Sequence, residues 1–108
     1  MVTQWSSRPY DRRPEGGHKV NIDQVATATT AGGTTAVAAR AGRLSVLLQN
    51  LDSSITIYYG EGDATLTSTD ETGRLLAGES VRLYTDKAIK ALSASGTPRL
   101  GYVEEYDD

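Results

Sequence analysis

The chain has 108 residues, a formal net charge of −3, a sequence pI near 5.1 and no cysteine. This length fits one domain that would bury roughly 65 % of its unfolded surface if all of it folded. The composition excludes a disulfide framework, thiolate metal sites and cysteine nucleophiles; it lacks the basic stripe that nucleic-acid binding requires, and no apolar run approaches the roughly 20 residues that cross a bilayer.

Residues 1–17, MVTQWSSRPYDRRPEGG, combine two prolines, three arginines and two aromatics with neither helical nor strand periodicity. Proline fixes φ and disfavours helix in the residue before it, so Arg8-Pro9 and Arg13-Pro14 read as extended or turning. The segment is expected to be an extended arm, with Gly16-Gly17 as the hinge to a folded body over residues 18–108. It holds no signal-like apolar region, which points to a protein made and used without secretion. The head is basic, whereas Glu104, Glu105, Asp107 and Asp108 make the end of the chain acidic.

From His18 onward, short β-rich runs alternate with turn chemistry. Val20, Ile22 and the threonine-rich stretch to Thr30 form the first, and Thr34 to Ala39 the second. Arg43 to Leu51 is the clearest strand: Leu44, Val46 and Leu48 alternate with Ser45, Leu47 and Gln49. Asn50 to Ser54 reads as a polar turn into Ile55 to Tyr59, and the two runs together read as a hairpin. Residues 60–74 are polar and glycine-punctuated, an exposed loop with Leu66 as its anchor. In Ser80 to Thr85, Val81 and Leu83 oppose Arg82 and Tyr84. Lys87 to Ala94 fits either a short helix capped by Thr85 or a strand, with the strand favoured. Arg99 to Glu105 closes the chain with Leu100 and Tyr102 inward. The expected fold class is all-β: an antiparallel β-sandwich or barrel of about seven or eight short strands with an extended N-terminal arm. The absence of phenylalanine implies a thin core that burial against other subunits would supplement.

Catalytic chemistry finds little support. His18 is the single histidine and lies beside the hinge, outside any local triad motif. Gly60-Glu61-Gly62-Asp63 with Asp70 and Glu71 offers oxygens to calcium but matches no EF-hand spacing. No catalytic, cofactor-binding or metal-ligating residue is assigned, and no cofactor is expected. Tyr58 and Tyr84 could share an outer face and contact a ligand there, whereas one of Tyr58 and Tyr59 belongs in the core. The most informative group is Trp5, Arg8, Pro9, Tyr10, Arg12 and Arg13: Trp, Tyr and Arg dominate interface energetics, and this segment cannot bury them itself. They are assigned to partner binding.

The stretch from Gly42 to Glu105 resembles small structural proteins of tailed bacteriophages. The resemblance is carried by LSVLLQNLDSSITIYYGEG, a polar loop and LLAGESVRLYTDKAIKALSASGTPRLGYVEE. Gly60, Gly78 and Gly96 match the turn glycines of that pattern. The resemblance implies a β-sandwich on the virion, of the capsid-decoration or head-associated type. A non-enzymatic cement protein follows from it, made in the host cytoplasm and bound to the capsid surface, with the major capsid protein as partner. A homo-oligomer is expected, a trimer being favoured, with neither nucleic acid nor membrane as partner. The alternative is a surface adhesin, or a tail- or neck-associated module, that binds host glycans.

Overall fold

A computed structural model describes residues 18–62, 64–67 and 73–107. All regular structure among them is strand: β1 (His18–Ala26), β2 (Thr34–Val37), β3 (Arg43–Asn50), β4 (Ile57–Glu61), β5 (Gly73–Leu75), β6 (Ser80–Leu83), β7 (Ile89–Ser93) and β8 (Arg99–Asp107). They form two four-stranded antiparallel sheets, ordered β1-β8-β3-β6 and β2-β7-β4-β5. The first strand pairs with the last, the second with the seventh, the third with the sixth and the fourth with the fifth. This is the pairing of one long hairpin rolled over two layers, the jelly-roll form of the β-sandwich.

The expected strands are present with shifted bounds: β4 runs Ile57–Glu61 rather than Ile55 to Tyr59, and the end of the expected 60–74 loop is the strand β5, paired to β4. The first run ends at Ala26 rather than Thr30, because Thr27 turns inward and its hydroxyl donates to the Pro98 carbonyl at 2.8 Å. The run after Lys87 is the strand β7, and Thr85 caps a turn instead of a helix by accepting the Lys87 N–H at 3.1 Å.

The hairpin of β3 with β4 does not form, because the two strands belong to opposite sheets. The connection must cross the sandwich, and buried Asn50 holds it there. Its side-chain amide donates to the carbonyls of Ile55 (2.7 Å) and Leu75 (2.9 Å) and accepts from the Asp52 N–H (2.9 Å). Asp52 in turn accepts the N–H groups of Ser54 and Ile55, which lowers its pKa.

Alternation places Val46, Leu48 and Leu100 of the first sheet against Val37, Ile57, Leu75, Ile89 and Ala91 of the second, all buried. Tyr59 joins this core from β4, as the split between the two tyrosines requires. Its ring lies across Gly73 of β5, where any Cβ would overlap it. Leu66 is also fully buried and anchors the loop after β4, bridging to Gly32 and packing on Gly33 and Gly60. Gly60 is therefore not a turn glycine. It lies within β4, and the space its missing Cβ leaves is occupied by Leu66. Gly78 and Gly96 do occupy turns, at positive φ.

Leu44 departs from the expected alternation and is 47 % exposed. A β-bulge between Arg43 and Ser45 lies opposite β8, where Arg43 faces Tyr106 and Ser45 faces Glu105. One extra residue exchanges the faces beyond it. Leu44 turns outward, and Arg43, which simple alternation would send to solvent, points into the sandwich.

Candidate functional site

Two features distinguish the body from a plain sandwich: a buried charged cluster and an exposed apolar sheet face.

The cluster is built on Arg43. Its Nε and Nη2 both reach Oε2 of Glu104 at 2.9 Å, and both residues are buried. Nη1 donates to the carbonyls of Thr85 (3.0 Å) and Lys87 (2.7 Å), and Nη2 donates also to that of Ala38. The guanidinium thus makes four hydrogen bonds, one to Glu104 and three to backbone carbonyls. Oε1 of Glu104 accepts from Asn21 (2.9 Å) and Arg40 Nη2 (3.2 Å), Arg40 Nε donates to Oε2 (3.3 Å), and the Arg40 guanidinium lies 3.9 Å from the centre of the Tyr106 ring. Burial pushes the Glu104 carboxyl up, but the hydrogen bonds from Arg40, Asn21 and Arg43 and the Arg43 charge outweigh it and hold its pKa below the ordinary value. Through these bonds the cluster ties the β2–β3 and β6–β7 connections to β8 and is a structural clamp. The acidic end of the chain is accordingly no loose tail: Glu104 and Glu105 belong to β8, hydrogen-bonded between β1 and β3.

The apolar face is the outer surface of the first sheet. Register aligns Ile22 of β1, Val103 of β8 and Leu47 of β3 in one row. Val20 lies beside the row on β1. Leu51, just after β3, folds across β8 because residue 101 is glycine: a Cβ there would stand 3.0 Å from the Leu51 Cδ1. Ile22 is 72 % exposed, Val20 51 % and Leu51 46 %. Ile22, Leu47, Gln49, Leu51, Gly101 and Val103 line a shallow groove of about 380 Å³. Leu44, Leu76 and Tyr84 are exposed singly, whereas these side chains form a contiguous strip, the kind of surface that is a candidate for interaction.

The residues singled out from sequence fall elsewhere. Trp5, Arg8, Pro9, Tyr10, Arg12 and Arg13 lie outside the described residues, as do Asp63, Asp70 and Glu71 of the calcium reading. His18 opens β1 opposite Asp107. Tyr58 and Tyr84 do not share a face: Tyr58 is on β4 of the second sheet, and Tyr84, 79 % exposed, follows β6 of the first, so a common platform is not formed. Among the described residues no group of three or more His, Cys, Asp or Glu side chains is placed to hold a metal ion, and no helix is long and apolar enough to cross a membrane.

The fold and this surface define a jelly-roll sandwich with an open apolar sheet face. The sequence matches no family model and no curated protein. Among solved structures, the chain is similar to a subunit of Bacillus endospore appendages, described as a novel family of disulfide-linked pili. The two share 15 % identity over 83 % of this chain and 86 % of that one, with a TM-score of 0.49.

Proposed function

We propose that this chain is a non-enzymatic virion structural protein, a decoration or cement subunit. It docks on the major capsid protein at the capsid surface through the outer face of the β1-β8-β3-β6 sheet together with residues 1–17. The observation that carries the reading is the outward-facing row of exposed Ile22 with half-buried Val103 and Leu47, and exposed Val20 and Leu51 beside it. Burying one fully exposed aliphatic side chain contributes about 1.5–3 kcal/mol, so a partner covering this strip gains affinity without any rearrangement of the body. Jelly rolls serve capsids and lectins alike, so the fold does not choose between them and the surface must. Trp5, Tyr10 and the arm arginines supply the residue types that anchor interfaces. No cofactor enters this reading.

The test is occupancy of expanded shells of the cognate major capsid protein. The full chain is expected to bind in fixed stoichiometry. Leu51→Asp, and separately Trp5→Ala combined with Arg12→Ala and Arg13→Ala, are expected to lose most of that occupancy while keeping the β circular dichroism signal. Failure of the full chain to bind, or full occupancy by both variants, overturns the proposal.

A further inference from the structure

The jelly roll leaves four sheet edges, and they are unequal. β2 and β6 have four residues each and β5 has three, whereas β1 has nine. β1 pairs with β8 along its whole length without a register shift, and it contains neither proline nor glycine. Among the described residues no strand pairs with its other edge. Proteins usually blunt such an edge by shortening it, bulging it or placing proline or lysine at its centre. The centre of β1 is Asn21-Ile22-Asp23, with neither proline, lysine nor a bulge, and its one charge, Asp23, is placed to meet a lysine of a second copy.

The backbone parity of that edge follows from two hydrogen bonds. Thr27 N–H donates to Pro98 O at 2.9 Å, continuing the β1–β8 register, and Leu51 N–H donates to Arg99 O at 3.0 Å. In an antiparallel strand the N–H and C=O of one residue point to the same side and alternate along the chain. Even-numbered residues of β8 therefore face β1, odd-numbered residues of β1 face β8, and Val20, Ile22 and Gln24 direct their backbone groups to the open edge. The Gln24 N–H agrees: it is bonded by the side chain of its neighbour Asp23, at 2.8 Å.

We propose that a second copy of this chain pairs with the open edge of β1, antiparallel and about a two-fold axis at Asn21, fusing the two four-stranded sheets into one. Val20 then stands opposite Ile22 of the second copy, and each such pair exchanges its outward N–H and C=O groups. The four aliphatic side chains gather on the outer face, while Lys19 stands opposite Asp23 of the second copy on the other face, so no like charges oppose one another. An axis at Ile22 would instead set Val20 against Gln24 and Lys19 against Val25, losing both matches. Self-pairing about a two-fold axis closes at two copies. A three-fold ring would have to join β1 to a different edge, and the others offer at most four residues. The rows of Ile22, Val103 and Leu47 from both copies would then run together as one apolar platform.

Sedimentation of the chain alone tests this separately from any shell-binding assay. The expected mass is twice the 11.5 kDa of one chain. Ile22→Lys and Val20→Pro are expected to halve that mass with the β signal retained, because Ile22 is exposed and the Val20 N–H does not bond β8; Tyr84→Lys should leave it unchanged. The chain has no cysteine, so a mixture of Val20→Cys and Ile22→Cys chains should oxidise to mixed disulfide dimers faster than either variant alone, whether or not the other substitutions fold. A monomer at all concentrations, a trimer, a dimer unaffected by both Ile22→Lys and Val20→Pro, or no preference for mixed dimers overturns the proposal.

Discussion

Arg43 and Glu104 are joined through a single carboxylate oxygen, with Nε and Nη2 of the arginine both 2.9 Å from Oε2, while Arg40 spans both oxygens and Asn21 donates to Oε1. They are 61 residues apart in sequence, and the bulge at Leu44 brings Arg43 to the face that Glu104 occupies.

Removing one partner of this pair should cost more than removing both. Arg43→Met leaves a buried carboxylate beside only Asn21 and Arg40 and strips the donor from the carbonyls of Ala38, Thr85 and Lys87. A loss of about 3–5 kcal/mol is expected, as for other buried pairs broken on one side. Arg43→Lys should rescue little, since an ammonium has three donors and no planar fork. Adding Glu104→Leu to Arg43→Met should recover part of the loss. Urea unfolding of the three variants measures each step.

The pH dependence of stability follows from the same carboxylate. The folded chain holds the Glu104 pKa below the ordinary value, so its contribution is fully present above the unfolded glutamate value of about 4.3 and is lost as pH falls through the lowered folded value. Asp52 acts in the same direction through the N–H groups of Ser54 and Ile55. The thermal midpoint should therefore be level down to about pH 5 and fall below it. Glu104→Gln should lower the midpoint at neutral pH and flatten the acid slope, and Asp52→Asn should flatten it further. A slope unchanged in both variants would contradict the assignment.

Asn50 should be irreplaceable by its isostere. Asn50→Asp keeps the shape and the bond from Asp52 N–H, but sets carboxylate oxygen against the carbonyls of Ile55 and Leu75. Leaving two buried carbonyls unpaired costs about 1–3 kcal/mol for each group, and the added charge makes Asn50→Asp worse than Asn50→Ala. Denaturant midpoints of the two variants give the order.

Most strands were legible because alternation of apolar and polar residues is local; the exception is β5, whose three residues Gly73–Leu75 are too few to show it and begin inside the segment read as an exposed loop. Partners were not, because nothing in LSVLLQN or ITIYY says which sheet a strand joins. A polar turn such as Asn50 to Ser54 serves a hairpin and a crossover equally. The buried clamp had a weak signal: Glu104 continues the inward series Leu100, Tyr102, so its side chain had to face the sandwich interior. What hid it was the bulge, since alternation from Val46 and Leu48 sends Arg43 outward and leaves Glu104 without a visible counter-charge. The apolar face could have been read from Val20 and Ile22, which alternate with Lys19, Asn21 and Asp23, had β1 been recognised as an edge strand.

Gly60 and Leu66 should be coupled. A Cβ at residue 60 would stand 2.8 Å from the Leu66 Cδ2, closer than such carbons approach, and a tight 3.1 Å from the Ala64 Cβ. Gly60→Ala should thus destabilise by about 1–3 kcal/mol through overpacking. Leu66→Ala, which empties a fully buried position between Gly33 and Gly60, should cost about 2–5 kcal/mol. In the double variant the methyl added at 60 enters space that the leucine has vacated, with only the Ala64 contact still tight. Its loss should fall short of the sum of the single losses by about 0.5–3 kcal/mol, the range for residues in contact. Additive losses in urea unfolding would mean that Leu66 does not rest on Gly60, and the loop after β4 would then need another anchor.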